Sequence, residues 1–417
     1  MWYQRKKGAV SMQTGKKLVL GFQHVLAMFG ATVLVPIITG LSIPVALFTA
    51  GVGTILFHLL TNRDVPVFLG SSFAFIGGIL TVKELFGIEY ATGAIIGAGA
   101  VYLIMAAIVK IIGHKKITAI FPPVVIAPII MVIGLTLAPV AVNMAADNWL
   151  ISIVTILTVV IVGIFFNGFF KTIPIITGII VGYIVSIATG NVDFTGVLDA
   201  NWFAVPNFHA PKFELEAFAI IVPIALVTII EHIGDITTNG SVVGKNFIDK
   251  PGLHRTFLGD GFATMLAGLL GGPANTTYGE NTGTLAITKV YDPSILRMAA
   301  FITIFLSFIG KFAALISTIP LAVMGGISFI LFGMIANIGV KQLVDHRVDL
   351  SNTKNAIIFF APLIIGLSSL AEGNPAVINI TENAQLSGLS LAALTAVILH
   401  AVLNIKGKQQ TKRKANV

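Results

Sequence analysis

Between two apolar segments of this chain lies a run that could not face lipid: Gly271-Gly-Pro-Ala-Asn-Thr-Thr-Tyr-Gly-Glu-Asn-Thr-Gly-Thr-Leu-Ala-Ile-Thr-Lys289. At membrane depth, irregular backbone persists only where it is buried in protein or lines an aqueous cavity, so the run demands a surrounding bundle. A carboxylate at that depth, Glu280, marks a site. The pattern predicts extended backbone to about Tyr278, then a short helix opening at Gly279-Glu280. Its N-terminus would turn free N–H groups and a positive dipole end toward a ligand.

The surroundings set the membrane. Of 417 residues, 56% are hydrophobic and 11% charged, in apolar runs such as Ile151–Phe166, Phe218–Ile230 and Ala356–Leu370. A helix needs about 20 residues to cross, and roughly fourteen segments qualify. They fall near 17–38, 42–61, 67–82, 91–112, 118–140, 149–167, 172–189, 216–238, 254–270, 278–290, 294–311, 314–338, 354–370 and 386–405. Strands alternating apolar and polar are absent, which argues against a barrel. The expected class is an all-α integral membrane protein. No cysteine is present, excluding disulfides, thiolate metal sites and thiol nucleophiles. The first apolar run, from about Leu18, is long and followed by others, unlike a cleaved signal peptide.

A net charge of +8 describes topology rather than a nucleic-acid surface. Basic residues cluster at the ends (Arg5, Lys6, Lys7, Lys16, Lys17; Lys406, Lys408, Lys412, Arg413, Lys414) and in alternate connections around Arg63, Lys115, Lys171, Lys245, Lys289 and Lys341. The positive-inside rule then puts both termini in the cytoplasm and requires an even number of spans. Stretches around Asp147, Asp193–Asp199 and Glu372–Glu382 fall outside; Lys83 and Lys311 fit less well. The longest outside connection, Gly190–Lys212, divides the chain into halves of about seven spans, and an odd number inverts one half relative to the other. Pro122-Pro-Val-Val-Ile-Ala-Pro-Ile-Ile130 is echoed half a chain later by Pro320-Leu-Ala-Val-Met-Gly-Gly-Ile-Ser328. Leu69-Gly-Ser-Ser-Phe-Ala-Phe75 interrupts the third span as Asn275–Glu280 interrupts the tenth. Paired interruptions point to a midplane site, although Gly and Ser also serve close helix packing.

The eighth span carries Glu231-His232-Ile-Gly-Asp235. Glu231 and Asp235, four apart, share one helix face, while His232 points elsewhere. Of two carboxylates in the membrane interior, one is expected to hold a proton near neutral pH, which suits proton coupling. The plainer alternative places Asp235 at a wet helix end. Glu-His-x-x-Asp lacks the second histidine of a zinc-protease helix, so no metal is expected. His24 in the first span either packs or holds a site carboxylate. Phe73 and Tyr278, on the two interruptions, could bracket a flat ring. Carboxylates at Glu231 and Glu280 call for N–H donors on the ligand, and freed N–H groups near Phe73 and Gly279 call for carbonyl oxygens. A uracil- or xanthine-like heterocycle meets all three requirements; a sugar, an aliphatic amino acid or an inorganic anion does not.

Glu280-Asn281-Thr-Gly283-Thr-Leu-Ala-Ile-Thr288-Lys289 is similar in full to the signature of the nucleobase–ascorbate transporter (nucleobase–cation symporter-2) family: Gln, Glu or Pro, then Asn-x-Gly-x4-Thr and a basic residue or Gly. Gln23-His24, Gly70-Ser71-Ser72-Phe73-Ala74-Phe75 and Pro251-Gly-Leu-His254-Arg255 also resemble that family, and its bacterial uracil permeases most closely. The resemblance implies fourteen spans in two inverted repeats of seven, with short strands in spans 3 and 10. It implies a core domain (1–116 and 213–312), a gate domain (117–212 and 313–417), and elevator-type proton symport of uracil through the cytoplasmic membrane. Glu231, Glu280, Phe73, Gly279 and Tyr278 would bind substrate. Glu231, Asp235 and Glu280 would couple protons, with His24, Asn281 and Ser72 in support. No cofactor and no catalysis are implied, and a dimer would form through the gate. One position departs: uracil permeases carry His where this chain has Asp235, and purine-transporting relatives often carry Asp there. The purine alternative, xanthine or uric acid, therefore stays open. Anion exchange shares the architecture, but two acidic site residues would repel an anion.

Overall fold

A computed structural model of the protein describes residues 14–371, 376–379 and 385–415. Arg5, Lys6, Lys7, Glu372 and Glu382, and the side chains of the basic run from Lys406, lie outside that description. Nineteen α-helices lie among the described residues, five of them short segments of five to nine residues; the longer ones are α1 (Thr14–Thr39), α2 (Ile43–Leu60), α3 (Ile76–Leu85), α4 (Ile88–Ile112), α5 (Pro123–Thr136), α6 (Trp149–Phe165), α7 (Pro174–Ala188), α8 (Ile224–Val243), α9 (Leu253–Leu269), α10 (Gly279–Thr288), α11 (Pro293–Ser307), α12 (Leu321–Asp345), α13 (Thr353–Leu367) and α14 (Gly388–Ala415). Among the described residues, seven helical stretches are long and apolar enough to cross a membrane, and four shorter helices are also apolar. The protein is a multi-pass membrane protein.

Punctuation in the sequence sets these ends. Ser42 caps α2 by accepting from Val45 N–H, with Pro44 in the first turn. Pro122 and Pro320, both extended, open α5 and α12, where a missing N–H costs nothing. Pro320 also corrects one expectation. The twelfth span begins at Leu321 rather than 314, and the apolar residues before it form a separate short helix, Gly310–Ser317. The eighth expected span is likewise two pieces. Leu215–Ile221 stops ahead of Pro223, and α8 then runs to Val243, so Asp235 sits two turns inside the helix and not at its end.

At the two interruptions the chain becomes extended. β1 (Leu69–Ser71) and β2 (Asn275–Thr277) pair antiparallel, with Leu69 opposite Thr277, Gly70 opposite Thr276 and Ser71 opposite Asn275. Ser72 N–H to Ala274 O (2.8 Å) and Tyr278 N–H to Phe68 O (3.0 Å) extend the pairing at both ends. Thus the strands satisfy each other's backbone at a depth where water could not. Gly70 is required: a β-carbon there would collide with the Tyr278 ring. Threonines tie the crossing to its neighbours, Thr54 Oγ1 accepting from Leu69 N–H (2.8 Å) and Thr264 Oγ1 donating to Asn275 O (2.9 Å). A second antiparallel pair, Val377–Asn379 with Gln385–Ser387, lies in the connection before α14, where no strand was expected.

Around the crossing, α4 packs on α9 and α2 on α11; α5 lies along α12, α6 on α7, and α13 on α14. The α5–α12 contact brings backbones together, since a β-carbon at Gly339 would stand 2.6 Å from Ala127 O. In a membrane such close approach supplies the dispersion that lipid cannot. The long connection after α7 crosses several helix ends. Ala204 N–H and Trp202 O pair with Phe308 O and Gly310 N–H (3.0 Å each), Lys212 N–H bonds Glu89 O (3.0 Å), and Phe208 meets Phe48 edge-on.

Candidate functional site

Three elements converge at the strand crossing. α8 supplies Glu231 and Asp235, the end of β1 supplies Ser72 and Phe73, and the β2–α10 turn supplies Tyr278, Gly279, Glu280 and Asn281. Phe73 and Gly279 each open a helical turn, the position whose N–H has no acceptor within its own helix. No acceptor for either lies elsewhere among the described backbone hydrogen bonds. Glu280 stands in the first turn of α10, where the helix dipole favours negative charge.

Tyr278 donates its hydroxyl to Ser71 O (2.9 Å) and meets Thr32 of α1 (3.4 Å). The hydroxyl is therefore committed to the scaffold, and the buried ring packs against Gly70. Phe73 packs edge-on against Phe332 of α12, with centroids 5.7 Å apart. Cavities lie on two sides of the crossing. One, of about 470 Å³, is lined by Phe73, Thr81, Ile133, Thr136 and Ser369. The other, of about 240 Å³, is lined by Gly279, Glu280, Thr172, Met334 and Ile338. Glu231, Asp235 and Tyr278 border neither cavity.

Glu231 Oε2 is buried with no hydrogen-bond partner among the described residues, as is Ser72 Oγ. Asp235 Oδ2 accepts from Thr277 Oγ1 (2.8 Å), which fastens α8 to β2. Among the described residues, His24 meets no carboxylate. Asn281 Nδ2 donates both to its Nδ1 and to its backbone oxygen, each at 3.1 Å, so the ring proton resides on Nε2. His24 and Asn281 thus pin α1 to the first turn of α10.

Two side chains, Asp260 and Thr277, escaped the sequence reading. His232 Nδ1 and Asp260 Oδ2 of α9 lie 2.7 Å apart, both fully buried. Among the described residues this is the only ion pair near the crossing. A lone aspartate within an apolar helix was the available signal for Asp260. Thr277 was hidden within the polar run because only β2's register reveals its partner. Among the described residues no three His, Cys, Asp or Glu side chains converge as a metal ion would require.

The family model described as "Permease family" (Xan_ur_permease) matches residues 15–372. The chain belongs to the nucleobase–ascorbate transporter family. Within this transporter family it is 45% identical to the uracil permease of Bacillus subtilis over 401 residues, covering 91% of each chain. It is 43% identical to that of Bacillus caldolyticus over 404 residues, covering 93% of this chain and 92% of the relative. Against the uracil permease of Escherichia coli K12 the identity is 40% over 397 residues, covering 93% and 91%. These relatives are named as permeases, proteins that move a solute without transforming it, and the chain is not an enzyme. Solved structures share the family's fold at low identity. The transmembrane domain of the cyanobacterial bicarbonate transporter BicA superposes with a TM-score of 0.63 at 16% identity, covering 93% of this chain and 97% of that one. Murine Slc26a9, an anion transporter in its inward-facing state, gives 0.68 at 11% identity, covering 96% and 70%.

Proposed function

We propose that this transporter imports uracil by proton symport across the cell membrane. One observation carries the substrate: identity of 40–45% over nine-tenths of the chain to proteins named uracil permeases. The site chemistry agrees with it. Glu231 and Glu280 accept from the ring N–H groups, the N–H groups of Phe73 and Gly279 donate to its carbonyl oxygens, and Tyr278 and Phe73 flank the ring. Ser72, His24 and Asn281 hold these groups in place. Glu231, Asp235 and Glu280 are the candidates for the coupled proton.

The mechanism we propose is alternating access by an elevator. About fourteen segments form two inverted repeats, with residues 1–116 and 213–312 as the moving core and 117–212 and 313–417 as the gate through which two copies pair. Both termini then lie in the cytoplasm. Supporting this, helix contacts recur when every label is advanced by seven: α4–α9 becomes α11–α2, and α6–α7 becomes α13–α14. Prolines cap both α5 and α12 at equivalent places.

A purine substrate is the second reading, favoured by Asp235, the residue often found there in purine-transporting relatives. Thermal stabilisation of the purified protein by uracil, thymine, xanthine, hypoxanthine, urate and bicarbonate separates the two, because a ligand of the native state raises its apparent stability. Uracil is expected to shift the midpoint, and Glu231→Gln or Glu280→Gln to abolish that shift. Stabilisation by xanthine or urate alone would overturn the pyrimidine assignment.

A further inference from the structure

The connection after α7 is not a span, yet it presents an apolar surface. Leu198 (74% exposed), Trp202 (70%), Phe203 (70%) and Val205 (75%) stand out from it. Hydrogen bonds fix this pose. Ala204 N–H bonds Phe308 O, Gly310 N–H bonds Trp202 O, and Phe203 lies opposite Ile309, just past the end of α11. The segment is therefore a strap laid against that helix end, not a loop able to tuck its apolar side chains inward. Scattered surface hydrophobics need no explanation, whereas a fixed cluster marks a surface that something covers.

Its neighbours say what covers it. Phe301 and Phe305, one turn apart on α11, are more than half exposed on an apolar helix of a membrane protein, and lipid is what they meet. Ile309 comes four residues after Phe305, so the strap prolongs the lipid-facing stripe of α11 beyond the helix end. Lys311 marks where that stripe reaches the membrane boundary. Its ammonium stands 5.7 Å from the Trp202 ring centroid and donates to Val197 O (2.9 Å) and Leu198 O (3.1 Å). The third N–H of the ammonium has no partner among the described residues. A tryptophan beside a lysine at the end of an apolar stripe is the pattern of the headgroup layer, where rings rest on acyl chains and the ammonium reaches out to polar groups.

We infer that the strap is a membrane-surface anchor. Leu198, Trp202, Phe203 and Val205 lie among acyl chains just beneath the headgroups, about 5–10 Å deep as interfacial segments do, and Lys311 donates to a lipid phosphate. The partner is the phospholipid leaflet. That this leaflet is the outer one rests on the topology proposed above; the contact with lipid does not. The strap is also tied to α4 through Lys212 N–H and Glu89 O, and to α2 through Phe208 and Phe48. The anchor thus joins three helices to one leaflet.

The chain has three tryptophans, so Trp2→Phe/Trp149→Phe leaves Trp202 as the single fluorescent reporter. The protein is reconstituted in phosphatidylcholine vesicles brominated either close beneath the headgroup or near the acyl-chain end, with iodide as the quencher in water. Expected is quenching by the shallow bromine roughly twofold or more above that by the deep one, as an interfacial depth requires, and protection from iodide. Adding Leu198→Ser/Phe203→Ser/Val205→Ser should weaken the bromine effect and admit iodide. Three outcomes overturn the anchor: quenching by iodide alone, which puts the strap in water; silence to every quencher, which means protein covers it, a second copy included; and strongest quenching by the deep bromine. If the single-tryptophan protein does not fold, the difference between the wild type and Trp202→Phe gives the same reading. The side is read separately, in a chain without native cysteine. Asn201→Cys, exposed beside the anchor, should react in intact cells with a membrane-impermeant maleimide. Reaction only after lysis would overturn the topology and move the anchor to the inner leaflet.

Discussion

Lys83 and Lys311 fit the charge rule of membrane insertion less well than the other basic residues, and both ammonium groups are occupied. Lys83 donates to Thr39 O at the end of α1 (2.8 Å). Lys311 donates to Val197 O (2.9 Å) and Leu198 O (3.1 Å) and stands over the Trp202 ring. Each binds loose carbonyls at a chain turn, a local use that a topology rule does not anticipate. Asp235 illustrates the same limit. Its place on α8 is legible, but its bond to Thr277 is not, because the rotation of α8 against β2 is a tertiary fact. Asp235→Asn keeps an acceptor for Thr277 and removes the titrating group. If Asp235 couples the proton, ligand binding should persist while pH-driven accumulation in proteoliposomes is lost; full accumulation would place coupling elsewhere. Asp292 offers a residue-scale test outside the membrane. Burial opposes its charge, but Ser294 N–H and the Lys17 ammonium (3.2 Å) outweigh it and hold the carboxyl below the usual range. A lowered value in the folded state stabilises above the unfolded value, about pH 4, and the contribution fades as pH falls through the folded one. Asp292→Ala, which also removes the cap of α11, should cost about 1 kcal/mol, and Asp292→Asn less, as read by denaturation at neutral pH. The difference between the wild type and Asp292→Asn should vanish in acid, while the cap lost in Asp292→Ala still costs there.

Elements were legible where punctuation and hydrophobicity coincide. The expected span 42–61 is α2 at Ile43–Leu60, and 172–189 is α7 at Pro174–Ala188. They misled where apolar residues run through a break, as at Pro320, since a membrane protein's loops and helices can be equally greasy. The strands announced themselves differently, as polar and small residues inside apolar runs, and their register needed the partner half a chain away. Gly70 concentrates the consequence. An added methyl must displace the Tyr278 ring, and overpacking of this kind costs about 1–3 kcal/mol. Gly70→Ala should lower the thermal midpoint and weaken ligand binding together. A variant that melts early yet binds as the wild type would separate the crossing from the site.

At the scale of the whole molecule, the connection after α7 leaves one proposed domain and is fastened to the other. Its Phe203 pairs with Ile309, so the strap should travel with the core, and bending should concentrate near Gly190, where the backbone is left-handed (φ 73°). The absence of native cysteine makes this directly testable. A disulfide between Phe203→Cys and Ile309→Cys should leave uptake near that of the reduced protein. Arrest of uptake on oxidation, reversed by reductant, would show that strap and core move apart. What the sequence could not supply at this scale is the pairing of helices, which depends on which small-residue faces meet.

The strand crossing has a last consequence, for how such a chain is made. Leu69 meets Thr277, so β1 leaves the ribosome about two hundred residues ahead of its partner, a very late closure by the standard of local contacts. Until β2 arrives, the main-chain groups of β1 have nothing to bond in a medium without water. The first half is therefore born incomplete at its centre, and the site becomes the closing stitch of biogenesis. Severed within the strap, the halves should regain function only when synthesised in the same membrane.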